Sequence, residues 1–382
     1  MQYRLLGNTG IRVSAIALGC EGFIGKSQEE AWAMYDYAFA HGINFIDMYT
    51  SNPDFREQLG RWVKDKRERF VLQSHLCTVW ENEQYLRTRD FDKVKSGFEL
   101  MMRQLDTGYL DVGMIHYVDA ETDYEMVFGG PIVEYAQALK REGRIRHVGV
   151  SSHNPRLALK MVQTGLVDVL LFSINPAYDL QPTTEDVEEY FDNKNYEGRR
   201  TNIDTERQAL YDYCANHGIA IDVMKVYGGG NLLSDAQSPF GKALTPVQCI
   251  HYALTRPGVA SVMVGCTGID EIKAALAWCD ASDDERDYTG VMSRLERFSW
   301  TGKCMYCGHC APCTMGIPIA DINKFYNLTV AEGKIAETVR EHYAALSCHA
   351  SDCVACGECE TRCPFGVEII EGMEKAAETF GY

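Results

Sequence analysis

The chain has 382 residues, with 37 Lys and Arg against 54 Asp and Glu, a formal charge of −17. That length suits one large core plus a small module, and the charge argues against nucleic acid and anionic membrane surfaces as partners. No apolar run is long enough to cross a bilayer, the opening MQYRLLGNTG lacks the apolar stretch of a signal peptide, and the cysteines outside two clustered runs are scattered singly, so a reduced, cytoplasmic protein is expected.

In chain order, YRLLGNTGIRVS reads as a hairpin turning at Asn8-Thr9-Gly10. Short apolar runs then alternate with longer helical patterns. The expected strands are Ser14–Leu18, Ile43–Met48, Phe70–Leu76, Val112–Tyr117, Ile145–Ser151, Val169–Ile174, Ala220–Val226 and Ala260–Val264. Ser27 with Glu30 forms a capping box ahead of AWAMYDYAFA. Thr245-Pro246 supplies an N-cap and first-turn proline ahead of VQCIHYALTR. This alternation predicts an α/β fold, a (β/α)8 TIM barrel, over residues 1–282. Residues 283–300 are expected to form a linking helix. Residues 301–382 hold two runs of four cysteines, the second at the bacterial ferredoxin spacing, and are expected to form a small α-helical, ferredoxin-like iron–sulfur domain; from Gly302 onward the chain has 11 acidic residues against 6 basic ones, so a basic redox partner would suit it.

Such a barrel carries its chemistry at the C-terminal ends of its strands. Those positions are Cys20 and Glu21, Asp47 and Tyr49, His75, His116, Ser151 with His153 and Asn154, Asn175, Lys225, and Gly265 with Cys266. Asp47, His75 and His116 lie on adjacent expected strands and form the centre of a polar site. Two histidines and a carboxylate are also the ligand set of a mononuclear metal site, so a Lewis-acidic divalent ion is an alternative. The long loop after the sixth strand, residues 178–203, reads either as a solvated turn or as a lid. In the second case Arg199 and Arg200 would clamp an anionic substrate.

Near the C-terminus, Cys304, Cys307, Cys310 and Cys313 are each two residues from the next. Cys353, Cys356, Cys359 and Cys363 follow the bacterial ferredoxin spacing for a [4Fe-4S] cluster, including the proline after the last one, Pro364. In two-cluster ferredoxins the fourth cysteine of each run binds the other cluster. The expected ligand sets are therefore Cys304, Cys307, Cys310 and Cys363 for one cluster, and Cys353, Cys356, Cys359 and Cys313 for the second. Zinc typically takes two well-separated CxxC pairs, a different spacing. Cys348, near the second run, reads as a bystander.

The stretches RLLGNTGIRVSAIALG, NFIDMYTSNPDFREQLGRW, LDVGMIHY, IRHVGVSSHNP and VMKVYGGGNLL resemble the aldo-keto reductase superfamily. With its cysteine runs, the chain is similar to the branch of that superfamily fused to a ferredoxin-like domain. The resemblance implies carbonyl reduction by a nicotinamide hydride. A Tyr protonates the carbonyl oxygen, a Lys lowers its pKa, an Asp pairs with the Lys, and a His orients the substrate. Asp47 and His116 match. The tyrosine's position is taken by Asn52 and the lysine's by His75. An amide cannot act as a general acid near neutral pH. The replacement donor is then Tyr49, two residues past Asp47, or His75, an imidazole with an unperturbed pKa of about 6.5. Tyr49 also reads as a packing residue.

The resemblance further implies a nucleotide phosphate held after the eighth strand. Thr267 stands where a basic residue is expected, Ala274 and Ala275 where a Glu-Asn pair is expected, and Lys273 is the nearby cation. Gly265, Thr267 and Gly268 remain as a phosphate cradle at a helix N-terminus, and Ser151, Asn175 and Lys225 complete the expected cofactor-binding set. These residues do not favour tight NADPH binding, and leave NADH or no nicotinamide open. The leading expectation is an iron–sulfur oxidoreductase. A small organic substrate sits against Asp47, His75 and His116, and electrons pass through two [4Fe-4S] clusters to or from a ferredoxin or flavodoxin-type carrier. The alternatives are a redox-neutral lyase, dehydratase or isomerase, and a non-catalytic electron-transfer subunit.

Overall fold

Strands buried on both faces read as unbroken apolar runs, and here eight of them close into a parallel barrel in chain order. They are β1 (Ile16–Gly19), β2 (Phe45–Met48), β3 (Val71–Leu76), β4 (Leu110–Ile115), β5 (Ile145–Ser152), β6 (Val169–Ser173), β7 (Ala220–Met224) and β8 (Val259–Gly265). This is a computed structural model, and it describes residues 1–191, 200–292, 298–299 and 302–382. Closure runs through β8 and β1, with Val262 opposite Ile16 and Gly265 opposite Gly19. Each expected strand appears, with ends shifted by a few residues. β4 stops at Ile115, so His116 is the first residue beyond it.

The crossovers are helical. They comprise α1 (Gln28–Ala40), α2 (Pro53–Val63), α3 (Phe91–Leu105), α4 (Glu121–Phe128), α5 (Pro131–Arg141), α6 (Pro155–Val162), α7 (Thr205–His217) and α8 (Pro246–Leu254), with α9 (Ile269–Leu276) after the last strand. Both expected caps are present. Ser27 and Glu30 close a capping box on α1. Thr245 does the same with Gln248 on α8, where Pro246 opens the helix.

Inside the barrel the lower layers are apolar: Ala17, Phe45, Val71, Val112, Val169, Leu171, Ala220 and Ala260 pack together. The opening hairpin, Tyr3–Leu5 with Arg12–Ser14, closes the floor and adds Leu6 and Val13 to that cluster. Its turn fits only glycine at position 7. There φ is +57°, and a Cβ would lie 2.3 Å from the Gly218 carbonyl oxygen. Toward the open end the inward positions turn polar, with Asp47, Gln73, His75 and Asp222 all buried.

The expected helix over residues 283–300 is instead two short turns, Asp283–Arg286 and Thr289–Met292. Asp287 breaks it. Its backbone is extended, and its carboxylate accepts from the Thr289 N–H and hydroxyl, starting the second turn afresh. Residues 293–297 and 300 lie outside the described ones. The backbone at Phe298–Ser299 pairs in parallel with Arg200–Thr201.

Residues 302–382 carry three longer helices, α10 (Ile319–Glu332), α11 (Glu337–Ala344) and α12 (Ile369–Phe380). They bury a separate apolar cluster around Ile322, Leu328, Tyr343, Ile369 and Met373. The first cysteine run is a loop leading to α10 after Cys313; the second is a loop and a short helical turn, Glu358–Arg362, leading to α12 after Cys363. The first loop docks on the barrel. Met305 joins the barrel's outer core, and its carbonyl accepts from Tyr288 Oη at 3.0 Å and from buried Arg256. Among the described residues no helix is long and apolar enough to cross a membrane.

Candidate active site

The open end of the barrel holds a cavity of about 770 Å³ lined by Asp47, His75, His116, Tyr49, Ser151 and Lys225, among others. Three of these, Asp47, His75 and His116, stand in series with Tyr85, which is not among the lining residues. Asp47 Oδ1 meets His75 Nε2 at 3.0 Å. His75 Nδ1 meets His116 Nδ1 at 2.7 Å. His116 Nε2 meets the Tyr85 hydroxyl at 2.5 Å. A carboxylate only accepts, so His75 carries its proton on Nε2. Neutral His75 then accepts at Nδ1 from the Nδ1–H of His116. That leaves His116 Nε2 to accept the proton of Tyr85. Every donor points toward Asp47, and every ring nitrogen is used once.

This series replaces the metal-site alternative. Asp47, His75 and His116 line up end to end instead of surrounding one point, and among the described residues no three His, Cys, Asp or Glu side chains converge to hold a single ion. Burial, with the nearby Arg89 guanidinium also opposing a positive charge, holds His116 well below the usual imidazole range. Burial also raises Tyr85, to about 12, against the pull of Arg87 and Arg89. Both groups are therefore neutral near pH 7.

Tyr85 is the member that sequence reasoning missed. It sits on a hairpin inserted after β3, Thr78–Glu81 paired with Gln84–Arg87. The turn residues Asn82 and Glu83 both have positive φ, 52° and 60°, the signature of a two-residue mirror-image turn. The alternation TVWENEQYLR carried that signal weakly, because Glu is a poor second turn residue. Tyr49 lines the cavity and packs edge-on against Tyr85 with ring centres 5.6 Å apart. Burial, then the Glu21 charge, push its phenol above the usual range. Asn52 has another task. It caps α2, its Oδ1 accepting from the Phe55 N–H at 2.9 Å ahead of Pro53, and it is not among the cavity's lining residues.

The expected cofactor-binding residues divide. Ser151, Lys225, Gly265 and Thr267 line the cavity. Gly268 is the N-cap residue of α9 and stands outside the lining. Asn175 is also outside it, fully buried, with Nδ2 on the Lys225 carbonyl and Oδ1 on the Ala177 and Tyr178 N–H groups. The cradle at α9 is filled from within, because the Thr267 N–H donates to Glu271 Oε2 at 2.6 Å. Lys273 pairs with Asp270 at 2.9 Å. A nucleotide phosphate would meet a carboxylate there, so these residues do not fit it. Of the expected lid, Arg199 lies outside the described residues, as does the Arg200 side chain, while Glu188 reaches the cavity.

Three strand ends around the cavity leave in left-handed backbone, at Cys77 (φ 70°), Tyr117 (φ 53°) and Lys225 (φ 58°). For residues other than glycine this conformation is strained and clusters at functional sites. Here it turns the chain out of the barrel directly after His75 and His116.

The eight clustered cysteines line two smaller cavities. One is bounded by Cys304, Cys307, Cys310 and Cys363, the other by Cys353, Cys356, Cys359 and Cys313. Each takes three thiols from one run and the fourth from the other.

A model of the aldo/keto reductase family matches residues 15–245. An uncharacterized oxidoreductase of Bacillus subtilis, YqkF, is 23% identical over 290 residues, 72% of this chain and 89% of that one. The protein tas of Escherichia coli is 28% identical over 180 residues, 40% of this chain and 52% of its own length. Among solved structures, the holo form of an aldo-keto reductase from Bacillus halodurans superposes with a TM-score of 0.58 at 21% identity, covering 75% of this chain and 94% of that one. A putative aldo-keto reductase from Pseudomonas aeruginosa gives 0.56 at 21% identity, with 72% and 93% covered. At that identity the likeness is one of fold.

His116 has a thermodynamic consequence. Its folded pKa lies below its unfolded value, so the unfolded chain binds more protons below about pH 6.5. Stability therefore falls as pH drops through that range, by up to about 1.4 kcal/mol per pH unit from this group. Urea unfolding between about pH 7 and pH 5 should show a shallower decline in His116→Gln than in wild type. Equal slopes would contradict a neutral, buried His116.

Proposed function

The chain belongs to the aldo/keto reductase family, and on that premise we propose an oxidoreductase that interconverts a hydroxyl and a carbonyl group on a small organic substrate in the barrel mouth. The substrate's hydroxyl proton moves along Tyr85, His116, His75 and Asp47, and the crossed cysteine sets would hold two [4Fe-4S] clusters able to take up or supply electrons. The observation that carries this reading is the unbroken hydrogen-bonded series from Asp47 to Tyr85.

A hydroxyl-to-carbonyl oxidation releases two protons and two electrons. In that direction the O–H proton enters the series at the Tyr85 oxygen, the C–H proton leaves to solvent through the open mouth, and the two electrons leave one at a time to an external one-electron carrier. Tyr85 passes its own proton to His116 Nε2. The His116 Nδ1 proton moves to His75, and the His75 Nε2 proton to Asp47. Each ring loses one proton and gains one, so no imidazolium persists in a site that disfavours charge on His116. Reduction runs the same hops backward, ending with the Tyr85 proton on the carbonyl oxygen. The series thus does the work of the proton donor that the Asn52 position lacks, and His75 stands where the resemblance implies lysine. Tyr49 forms the wall beside Tyr85.

The lining charges bear on the substrate. Glu21, Asp47, Glu188 and Glu271 face the cavity, against Lys225 as the cation among the described lining residues. That balance suits a neutral or cationic molecule rather than an anion.

When bound, cubane clusters supply one-electron transfer. The two cavities lined by crossed sets of four cysteines support this reading, and the first cysteine loop abuts the barrel through Met305, Tyr288 and Arg256. Because the α9 corner does not fit a phosphate, no step is assigned to a nicotinamide. The acidic C-terminal section, 11 carboxylates against 6 cations from Gly302 onward, favours an electron carrier with a basic face.

Two outcomes follow for mutants. With a panel of aldehydes and a reduced viologen as electron source, Tyr85→Phe should lower kcat by about 10²–10⁴, the usual worth of a general acid. Tyr49→Phe should stay within about tenfold of wild type, as expected of a packing residue. The reverse order would assign the proton to Tyr49. For the clusters, anaerobically prepared protein should hold about eight iron atoms per chain. In electron paramagnetic resonance of the reduced protein, Cys313→Ala should remove the same signal as Cys353→Ala, and Cys363→Ala the other one. Loss of the Cys304-set signal in Cys313→Ala would contradict the crossed assignment.

A further inference from the structure

The cavity wall carries a second carboxylate–imidazole pair, which the series from Tyr85 to Asp47 does not use. His153 directly follows β5 and lines the cavity. Its Nδ1 meets Oδ2 of Asp119 at 2.8 Å. Asp119 is buried, and its other oxygen accepts from the His153 N–H at 2.6 Å and the Ser152 hydroxyl at 2.8 Å. Burial alone would raise this carboxyl; the donors of His153 and Ser152 outweigh it and hold it below its usual range. Asn154 fixes the same corner, its Nδ2 donating to the Asp119 carbonyl at 3.0 Å while its Oδ1 caps α6. An ionised carboxylate only accepts, so a neutral His153 carries its proton on Nδ1. Among the described residues no group bonds Nε2, which stays accessible at the cavity surface. An imidazole held by a carboxylate at one nitrogen and free at the other is built as a general base. It stands beside the series: the Tyr117 ring centre lies 6.0 Å from that of His116 and 5.2 Å from that of His153.

The chemistry assigned to the cavity leaves one proton without an acceptor. The series takes the O–H proton of the substrate, not the C–H proton. No hydride acceptor is assigned, because Glu271 occupies the corner where a nucleotide phosphate would sit. One-electron carriers make a further demand, a substrate that can lose its electrons singly. A C–H bond beside a carbonyl meets both needs. Its proton is acidic enough for a base to take, and the enediolate left behind yields electrons one at a time. We propose that His153 is a second base of the reaction and that the substrate is an α-hydroxy-carbonyl compound. Nε2 of His153 takes the proton from the hydroxyl-bearing carbon. The C–H electron pair becomes the C=C bond of the enediolate, and the neighbouring carbonyl oxygen takes the negative charge. The hydroxyl proton enters the series at Tyr85, two electrons leave to the external one-electron carrier, and an α-dicarbonyl results. Asp119 pairs with the imidazolium formed at His153, which returns its proton to solvent through the mouth. The substrate thus loses two protons and two electrons and gains no atom. The oxidation rests on the proposed oxidoreductase reading, whereas the base acts before any electron moves.

The test uses the full chain, prepared anaerobically, in D2O without an electron acceptor, with acetoin and α-hydroxyacetophenone as probes. Proton magnetic resonance should show the hydrogen on the hydroxyl-bearing carbon exchanging for deuterium faster than in buffer alone. His153→Gln should slow the enzymatic exchange by about 10²–10⁴, the usual worth of a positioned base. Asp119→Asn should slow it too, because its amide N–H faces Nδ1 and shifts the imidazole proton to Nε2. In His153→Ala, added imidazole should restore exchange, which a merely structural histidine would not allow. Exchange at the buffer rate with both probes in wild type overturns the proposal without any variant. So does a wild-type rate in His153→Gln. With ferricenium then added as a one-electron acceptor, exchange without dicarbonyl formation would defeat the oxidoreductase reading and leave the base standing, so the two failures read apart.

Discussion

A carboxylate inside a barrel must find donors, because burying it unpaired is costly. Asp47 is 6% exposed and takes its donors from Gln73 and His75. That one requirement propagates. It places the His75 proton on Nε2, which makes His75 Nδ1 an acceptor, which makes His116 a donor at Nδ1 and an acceptor at Nε2, which demands the hydroxyl of Tyr85. The direction of the whole series is set by the chemistry of its innermost group. The left-handed turns at Cys77 and Tyr117 then release the chain from the barrel immediately past the two histidines.

A second buried carboxylate holds the surroundings of the cavity. Asp179, at the root of the loop after β6, accepts from Tyr211 at 2.5 Å and Tyr252 at 2.7 Å, with Arg207 at 3.4 Å. Arg207 also donates to the Ser173 carbonyl, tying α7 to the end of β6. Tyr252 packs on Tyr288 with ring centres 5.3 Å apart, and Tyr288 bonds the carbonyl of Met305 in the first cysteine loop. One continuous buried network thus joins the cysteine loop, α8, α7 and the strand end beside the cavity. Most of its links are hydrogen bonds between buried polar groups, which makes the juncture geometrically specific rather than a sliding apolar contact.

Much of this was legible because the signals are local. Doubly buried strands leave unbroken apolar runs, and capping boxes at Ser27 and Thr245 are written within four residues. Cysteine spacing is likewise a constraint of one loop. The misses have tertiary causes. Tyr85 reaches His116 only because the hairpin inserted after β3 carries it there, and no periodicity reports where an inserted side chain lands. Asn52 could have been read as a cap from the Asn-Pro pair that opens α2, but aligning it with a functional tyrosine hid that signal. Asn175 lies at a strand end as expected, yet its amide is wholly engaged by backbone groups. The helix expected over residues 283–300 fails at Asp287, where a side chain that accepts from the next turn competes with helix continuation and also meets His309 at 3.1 Å. At α9, helix N-terminal geometry suggested a phosphate, and the chain's own Glu271 meets that need instead.

The directed series from Tyr85 to Asp47 is the central claim, and histidine nitrogen resonance tests it most directly. In protein labelled with ¹⁵N at histidine, the account predicts His75 protonated on Nε2, His116 protonated on Nδ1, and a scalar coupling through the hydrogen bond between the two Nδ1 atoms. Opposite protonation, an imidazolium on either ring at neutral pH, or no coupling between the rings would contradict it.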